Sequence, residues 1–323
     1  MKEILVTGAA GFIGASTVNV LSEQGITVVG VDNMNDYYDV QLKEYRLSIL
    51  EKNKNFRFYR EDIEDIQSIR SVFKKHSFDA VINLAARAGV RYSQENPFVY
   101  MTTNAMGTLN LLELMREFSV KKIVLASTSS LYAGQPLPFS ENLDVSTPIS
   151  PYAATKKAAE VMAYTYHYLY GIDVSICRYF TVYGPAGRPD MSPFRFIKWV
   201  YEGTPITLYG DGTQSRDFTY IEDIANGTVA ALQPVGYEIF NLGCADSPVT
   251  LNKMIEMIEN YTGKKACIDY QPVQKSDMTE TMADITKAKK ILHWQPRINF
   301  EIGLKESVDW YLKNAEWASK IKV

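Results

Sequence analysis

The chain of 323 residues is long enough to bury a large core in one large or two modest domains. Its formal net charge of -3, with 46% apolar and 22% charged residues, argues against nucleic acid or an anionic membrane as a main partner. Three cysteines and three histidines lie far apart, so neither a disulfide framework nor a metal site is expected.

Neither a membrane span nor a signal peptide is expected from the apolar runs. No stretch approaches 18 consecutive apolar residues, and the run near Met1 ends at once in glycine. The sequence therefore predicts a cytoplasmic protein. His76, in the polar run at residues 74–77, is expected to be solvated.

The first 32 residues carry a nucleotide-binding pattern. An apolar run, a turn with three glycines spaced three apart, an amphipathic stretch and a second apolar run follow one another, typical of strand, turn, helix and strand. The glycines allow a tight turn and a close approach of backbone N–H groups to a pyrophosphate, beside a helix N-terminus. Asp32 ends the second strand, where a carboxylate accepts from both ribose hydroxyls and repels a 2′-phosphate. The pattern predicts NAD rather than NADP.

Strands and helices continue to alternate after Asp32. Further strands are predicted at residues 56–59, 80–86, 122–127, 174–177 and 238–242, with helices at 65–76, 98–118 and 152–170. This order predicts an α/β fold with a Rossmann-type, doubly wound parallel sheet. More Pro and Gly after residue 180 indicate a smaller C-terminal lobe over the carboxyl ends of the strands. The expected cofactor domain is 1–180, with 217–245 returning to it, and 181–216 and 246–323 form the substrate lobe.

A second pattern lies in the sequence SPYAATKKAAE at residues 150–160. In a helix, Tyr152 and Lys156 lie one above the other on the same face. An ammonium nearby favours the phenolate, although lowering a pKa of about 10 to about 7 needs roughly 4 kcal/mol. Thr128, delivered by the strand that ends at Ser127, can bind the substrate oxygen whose proton Tyr152 removes. With 21 tyrosines the spacing alone could arise by chance, and its significance rests on the dinucleotide pattern.

Six motifs resemble those of the extended short-chain dehydrogenases/reductases, in particular the nucleotide-sugar epimerases and dehydratases. They are TGAAGFIG at 7–14, NLAA at 83–86, ASTSS at 126–130, PYAATK at 151–156, RYF at 178–180 and RDFTY at 216–220. They extend over most of the chain and keep the order of that family. The resemblance implies an NAD-dependent enzyme whose substrate is a UDP-sugar.

The resemblance also implies roles for individual residues. Thr128, Tyr152 and Lys156 would form the catalytic set, with Lys156 binding the nicotinamide ribose and lowering the pKa of Tyr152. NAD would be held by Gly8, Gly11, Phe12, Ile13, Gly14, Asp32, Asn33, Asp62, Ile63, Leu84, Ala85, Ala86, Tyr152, Lys156 and Tyr179. The substrate would contact Arg91, Ser129, Ser130, Thr181, Arg188, Arg216 and Asp277. Of these, Arg216 would pair with the diphosphate and Asp277 with the uridine ribose.

The residues after Thr128 narrow the reaction. Relatives that dehydrate sugars resemble Thr-Asp-Glu at this point, and those that decarboxylate resemble Thr-Ser-Glu, whereas Ser129 and Ser130 stand here. Without a further acid, the simplest chemistry is hydride transfer at C4, rotation of the 4-keto sugar and return of the hydride. This is a 4-epimerisation.

Three stretches, at residues 32–39, 88–93 and 179–191, resemble the branch that converts UDP-glucuronate to UDP-galacturonate. Neutral hydroxyl groups would anchor the carboxylate there. Two departures concern the sugar pocket, since Ala186 replaces a common Trp and residues 131–134 are one residue longer than usual. A UDP-glucose/UDP-galactose 4-epimerase, a UDP-glucuronate decarboxylase and a non-enzymatic dinucleotide-binding regulator stay open as alternatives.

The resemblance further implies a homodimer joined by a four-helix bundle, two helices from each subunit. The apolar residues expected on that surface are Met101, Leu109, Leu112, Met162, Tyr166 and Leu169. The alternative is that these side chains face the protein's own sheet.

Overall fold

The structure, a computed structural model, describes residues 1–246, 248–273 and 278–323. Its strands are β1 (Glu3–Thr7), β2 (Thr27–Val31), β3 (Phe56–Tyr59), β4 (Ala80–Asn83), β5 (Lys122–Thr128), β6 (Asp173–Tyr179), β7 (Thr181–Tyr183), β8 (Ile206–Tyr209), β9 (Ser215–Arg216), β10 (Phe218–Tyr220), β11 (Tyr237–Leu242), β12 (Val249–Thr250) and β13 (Ile268–Gln271).

The helices alternate with these strands through the first 180 residues. They are α1 (Phe12–Glu23), α2 (Val40–Leu50), α3 (Ile66–Lys75), α4 (Tyr92–Glu95), α5 (Pro97–Tyr100), α6 (Gly107–Glu117), α7 (Pro151–Tyr170), α8 (Ser192–Glu202), α9 (Ile221–Ala230), α10 (Leu251–Thr262), α11 (Phe300–Lys313) and α12 (Ala315–Ala318). A 3-10 turn covers Ser129–Tyr132, and π-helical segments cover Met101–Met106 and Ala288–Leu292.

Seven strands form one parallel sheet in the order β11-β6-β5-β4-β1-β2-β3. The predicted doubly wound parallel sheet is confirmed. The order reverses direction between β1 and β4, so a crevice opens outside the carboxyl ends of the strands. Because Thr128 pairs with Tyr179 in the register of β5 and β6, the ends of these two strands reach that crevice together.

Helices cover both faces of the sheet, and its central strands are apolar on both sides, as parallel strands require. On one face α1 and α9 pack together, with Val18 and Ile224 in the core. On the other face α3, α6 and α7 contribute Phe73, Leu111 and Ala163.

A third apolar core lies in the C-terminal part of the chain. It unites α8, α10 and α11 through Phe194, Met254 and Tyr311, next to the short parallel pair β8–β13. Within residues 217–245, β11 pairs with β6 in the main sheet, whereas β10 pairs with β7.

Two local features differ from the predictions. The helix predicted at residues 98–118 is interrupted by a π-helical segment, in which Asn104 donates to the Arg87 carbonyl and to Thr155 Oγ1. Such segments are often found where a helix serves a site. The prediction that His76 is solvated is wrong, because its ring is buried between Glu3 Oε1 and the Tyr59 hydroxyl, each 3.0 Å away.

The surface formed by α5, the adjoining π-helical segment and α7 exposes large apolar side chains. They include Phe98 (80% exposed), Met101, Val161, Tyr164, Tyr168 (77%) and Leu169. Of the residues predicted for this surface, Leu112 and Tyr166 are instead buried in the sheet core, because their helical positions face inward. Within the described ranges, no helix is both long and apolar enough to cross a membrane.

Candidate active site

The Gly-rich turn between β1 and α1 forms one wall of the crevice. Gly8 has φ of +67°, and a Cβ there would lie 2.8 Å from the Ala85 nitrogen. A Cβ at Gly14 would lie 2.0 Å from the Gly8 carbonyl oxygen. Only glycine fits either position, so the α1 N-terminus lies close against the sheet edge and directs its partial positive charge into the crevice.

A smaller cavity of about 90 Å³ lies beyond the turn, at the ends of β2 and β3. Asp32 forms part of its wall and accepts from the Ala10 and Met34 nitrogens at 3.2 and 2.8 Å. Asn33 Nδ2 donates to Asp62 Oδ2 at 2.7 Å. The cavity presents carboxylate and amide groups suited to a ribose and a base.

Lys43 on α2 completes this cavity and was missed by the sequence prediction. Its Nζ lies 3.6 Å from Asp32 Oδ1, and both side chains are buried. Burial lowers the pKa of Lys43, and Asp32 opposes that shift. No motif marks a lysine in the middle of a helix, so only the fold reveals that it reaches Asp32.

The first two turns of α7 carry Tyr152 and Lys156, which form the second sequence pattern. Pro151 occupies the first turn, and Ser150 Oγ caps the helix by accepting from the Ala153 nitrogen at 3.2 Å. Burial raises the pKa of Tyr152, whereas the Thr128 hydroxyl and the Arg188 guanidinium oppose that shift. The predicted hydroxyl pair, Thr128 and Tyr152, therefore lies together.

Lys156 points from α7 to the end of β5. Its Nζ donates to the Ala126 carbonyl at 2.9 Å. Burial lowers the pKa of Lys156 to about 8, against the opposing effect of Glu160. Arg188 is the cation that lowers the pKa of Tyr152 in this structure, and a similar effect of Lys156 stays a prediction.

A buried ion pair fixes α7 against the sheet. Arg178 on β6 donates to both carboxylate oxygens of Glu160, at 2.9 and 2.8 Å, and Ser127 Oγ donates to Glu160 at 2.7 Å. Both charged side chains are 1% exposed. The pair lies one helical turn beyond Lys156 and next to Thr128, so it fixes the two elements that carry the catalytic candidates.

The main cavity, of about 330 Å³, brings the hydroxyl side chains together. Thr128, Ser129 and Ser130 reach it from the end of β5, Thr181 from β7, and Tyr152 from α7. Among the described residues that line it there is no aspartate or glutamate. The cavity can therefore position a polar or anionic ligand through neutral donors, next to Tyr152.

Arg188 lines the same cavity and lies close to Asp190, with its Nη2 2.5 Å from Asp190 Oδ2. Burial alone would lower the pKa of the guanidinium, and Asp190 outweighs that effect, so the pKa is raised. Ala186 has φ of +52° and its carbonyl accepts from the buried Arg46 at 2.7 Å. This contact fixes the loop in which Ala186 replaces the common Trp.

Arg91 and Arg216, also predicted to bind the substrate, are not among the residues that line the main cavity. The guanidinium of Arg91 lies 4.3 Å from the centre of the Tyr209 ring. Arg216 donates to the Ser215 carbonyl at 2.7 Å. Asp277 lies outside the described residues.

All fifteen residues predicted to hold the cofactor line one of the two cavities. The main cavity has Gly8, Gly11, Phe12, Ile13, Gly14, Leu84, Ala86, Tyr152, Lys156 and Tyr179, and the smaller one has Asp32, Asn33, Asp62, Ile63 and Ala85. In the part of the chain that the structure describes, no cluster of potential metal ligands is found.

Comparison with known proteins gives one consistent picture. A model of the GDP-mannose 4,6-dehydratase family matches residues 5–307. The UDP-glucuronate 4-epimerase of Thermodesulfobacterium geofontis is 60% identical over 100% of both chains, and UDP-glucuronate 4-epimerase 4 of Arabidopsis thaliana is 41% identical over 96% of this chain and 75% of its own.

Solved structures agree with these relatives. UDP-glucuronic acid 4-epimerase from Bacillus cereus, in complex with UDP-glucuronic acid and NAD, superposes with a TM-score of 0.90 at 38% identity, covering 97% of this chain and 99% of the other. UDP-glucose 4-epimerase of Thermotoga maritima, with UDP-glucose, gives 0.87 at 32% identity, over 97% and 99%.

Proposed function

Because the chain belongs to the extended short-chain dehydrogenase/reductase family of nucleotide-sugar enzymes, we propose that it interconverts UDP-glucuronate and UDP-galacturonate with NAD. The observation that carries the proposal is the main cavity, in which Tyr152 lies among neutral hydroxyl side chains without a carboxylate among the described lining residues.

The two cavities fit NAD. The glycines admit a pyrophosphate next to the α1 N-terminus, and Asp32 lies where the adenosine ribose would be bound. Lys156 would contact the nicotinamide ribose from α7. When bound, NAD supplies the acceptor, and later the donor, of the hydride at C4 of the sugar.

Tyr152 would act as base and then as acid at the C4 hydroxyl. Its phenolate takes the hydroxyl proton while the C4–H bond breaks, giving a 4-keto sugar, and returns that proton to O4 after the sugar has turned over. Thr128 would bind the same oxygen and hold it in reach. Since burial raises the pKa of Tyr152, the cation Arg188 and a positively charged cofactor both favour the phenolate.

Ser129, Ser130 and Thr181 would bind the uronate carboxylate. A 4-keto uronic acid is a β-keto acid, which loses CO2 readily when a neighbouring group assists. Neutral hydroxyl donors anchor the carboxylate without placing an acid or base beside it, so the same side chains hold the substrate and restrain decarboxylation.

The nucleotide would lie against the third core, with Arg216 at the diphosphate and Asp277 at the uridine ribose. We propose the corresponding division of the chain: residues 1–180 with 217–245 for NAD, and 181–216 with 246–323 for the nucleotide sugar. The pairing of β11 with β6, and the separate core around α8, α10 and α11, support this division.

Product analysis by NMR tests the proposal. The protein with added NAD is incubated with UDP-glucuronate and with UDP-glucose, and the anomeric protons are followed. UDP-galacturonate from UDP-glucuronate, with slower or no conversion of UDP-glucose, is the expected result. Conversion of UDP-glucose alone would identify a neutral-hexose epimerase, a UDP-pentose would identify a decarboxylase, and no product with either substrate would favour a regulator.

We also propose a cytoplasmic homodimer. The exposed apolar surface of α5, the π-helical segment and α7 supports association through a four-helix bundle. All three cysteines are free thiols, of which Cys267 is exposed, which supports a reducing compartment.

A further inference from the structure

Arg46 on α2 connects three separate segments of the chain close to the main cavity. Its side chain is buried, and its Nε and Nη2 donate to the Ala186 carbonyl at 3.1 and 2.7 Å. Its Nη1 donates to the Ala10 carbonyl in the Gly-rich turn and to the Tyr38 hydroxyl, at 3.3 and 2.8 Å. One buried guanidinium therefore joins α2, the Gly-rich turn and the loop between β7 and α8.

These contacts depend on the geometry of a guanidinium. Within the described part of the chain they end on carbonyl and hydroxyl oxygens, and hydrogen bonds from a charged donor are stronger than those between neutral groups. The centres of the Phe12 and Tyr38 rings each lie 5.6 Å from the Arg46 guanidinium carbon, which further favours the cation. A lysine has a single charged nitrogen and could not bind the turn and the loop at once.

The loop that Arg46 binds has an unusual backbone. Ala186 has φ of +52°, a left-handed conformation that costs free energy for a residue with a Cβ. The Gly187 carbonyl, which accepts from Arg46 Nη2 at 3.3 Å, belongs to the planar peptide unit that ends at the Arg188 nitrogen. Arg46 therefore fixes the orientation of the backbone from which the Arg188 side chain extends.

The ion pair of Arg188 lies within the same loop. Among the described residues its carboxylate partner is Asp190, two positions further along the chain, so this pair does not attach the loop to the rest of the protein. Arg188 nevertheless lines the main cavity and is the cation that favours the Tyr152 phenolate. Its position relative to Tyr152 therefore depends on the contacts that hold the loop.

We propose that Arg46 is a positioning residue for the epimerisation, because it holds the loop that presents Arg188 to Tyr152. This inference rests on the proposed function. Arg46 lines neither the main nor the smaller cavity, so it would affect the reaction through the loop and not by contact with the substrate or NAD.

The ionisable groups around the Tyr152 phenol come from four elements. Arg188 lies in the loop before α8, Lys156 on the same helix as Tyr152, Tyr37 in the loop before α2, and Tyr100 on α5. Burial raises the pKa of the other two phenols, so both stay neutral near pH 7. Lys156 is held by its hydrogen bond to β5 and not by the loop. An effect of Arg46 on the ionisation of Tyr152 would therefore pass through Arg188.

The pH dependence of kcat/KM tests this role. Arg46→Lys keeps the positive charge but loses the planar set of donors, so Arg188 should be held less well beside Tyr152. The acid limb of the profile should then shift upward by about one pH unit. Arg46→Gln keeps an amide donor without a buried charge, and it should shift the limb in the same direction even if Arg46→Lys does not fold.

A double variant shows whether Arg46 acts through Arg188. Arg188→Gln alone should shift the acid limb upward, and Arg46→Lys added to it should cause no further shift. The matched control is Lys198→Met on α8, which removes a buried cation paired with Glu202 outside both cavities. This control should lower the Tm, as Arg46→Lys does, but should leave the acid limb unchanged.

Three results would overturn the inference: an unchanged acid limb in the folded Arg46 variants, a larger shift in the double variant than in Arg188→Gln, or an equal shift in the Lys198 control. The profile is measured with whichever UDP-sugar the parent protein converts, so a preference for UDP-glucose would refute the proposed substrate and leave this test intact.

If the parent protein converts neither sugar, the proposed function fails and the ionisation of Tyr152 is measured directly. The tyrosinate absorbance that is lost on Tyr152→Phe, compared between the parent and the Arg46→Lys backgrounds, gives the pKa of this phenol in each. A higher pKa in the Arg46→Lys background would support the positioning of Arg188 by Arg46, and an equal pKa would overturn it.

Discussion

The pKa of the Tyr152 phenol is determined by the side chains around it as well as by its burial. Burial raises the pKa of its phenol, and the groups that oppose this, Thr128 and Arg188, come from β5 and from the loop before α8. The helix delivers the phenol, while the crevice around it determines when it can lose a proton.

Replacing the phenol tests that role at the residue scale. Tyr152→Phe removes the proton-transferring oxygen and keeps the ring, so kcat should fall by about 10²–10⁴-fold. The UDP affinity should stay unchanged, because in the proposed function Tyr152 contacts the sugar and not the nucleotide. Turnover assays together with UDP titration measure both, and a Tyr152→Phe protein with near-normal kcat would remove Tyr152 from the mechanism.

The lowered pKa of Lys156 predicts that turnover depends on pH. Burial lowers its pKa to about 8, so its ammonium is present below that pH and is lost above it. If the charge is needed, kcat/KM should fall as the pH rises through about 8. Lys156→Arg, which stays charged, should be less active but should not show this fall. An identical alkaline decline in both proteins would assign it to another group.

The same shift has an opposite effect on stability. Lys156 binds its proton more weakly in the folded than in the unfolded protein, so between about pH 8 and about 10.4 the unfolded chain holds more protons. The contribution of Lys156 to the free energy of unfolding therefore increases as the pH rises through that window.

At the scale of elements, the Glu160–Arg178 pair joins α7 to β6 at the level of the site. Glu160→Gln leaves the Arg178 guanidinium buried without its charged partner, so the free energy of unfolding should fall by about 3–5 kcal/mol. Glu256→Gln breaks an exposed pair on α10 and should cost less than about 1 kcal/mol. Urea denaturation measures both free energies of unfolding. Equal losses in the two variants would show that the buried pair stabilises the protein no more than the exposed pair does.

Patterns of local sequence predicted the elements that carry the site, because the glycine turn, Asp32 and the Tyr152 helix each depend on residues close in the chain. Contacts between distant segments were not predictable in this way. Lys43 on α2 reaches Asp32 at the end of the second strand, and Arg178 on β6 binds Glu160 on α7. The inward orientation of Leu112 likewise depends on how α6 packs, not on its apolar character.

At the scale of the whole molecule, the exposed apolar surface of α5 and α7 predicts self-association. The double variant Phe98→Glu, Tyr168→Glu places two charges at side chains that are 80% and 77% exposed. The charges should prevent the two subunits from associating, whereas the fold of each subunit should persist. Light scattering after size exclusion should give a dimer for the parent protein and a monomer for the variant. A monomeric parent protein would refute the bundle.

The Gly-rich turn and Tyr152 line the same cavity, so a cofactor bound at the turn and the C4 carbon of a sugar bound at Tyr152 would lie in one crevice. The central claim is that C4 is oxidised and reduced within a single binding event, with the hydride returned to the carbon that lost it. That claim predicts the fate of a hydrogen label, whichever sugar is preferred.

The most direct test follows UDP-glucuronate deuterated at C4 through many turnovers, by NMR and mass spectrometry, with NAD present in catalytic amount. We expect UDP-galacturonate that keeps its deuterium at C4, without accumulation of reduced cofactor in solution. Loss of the label to solvent, or release of CO2 in step with turnover, would contradict the central claim.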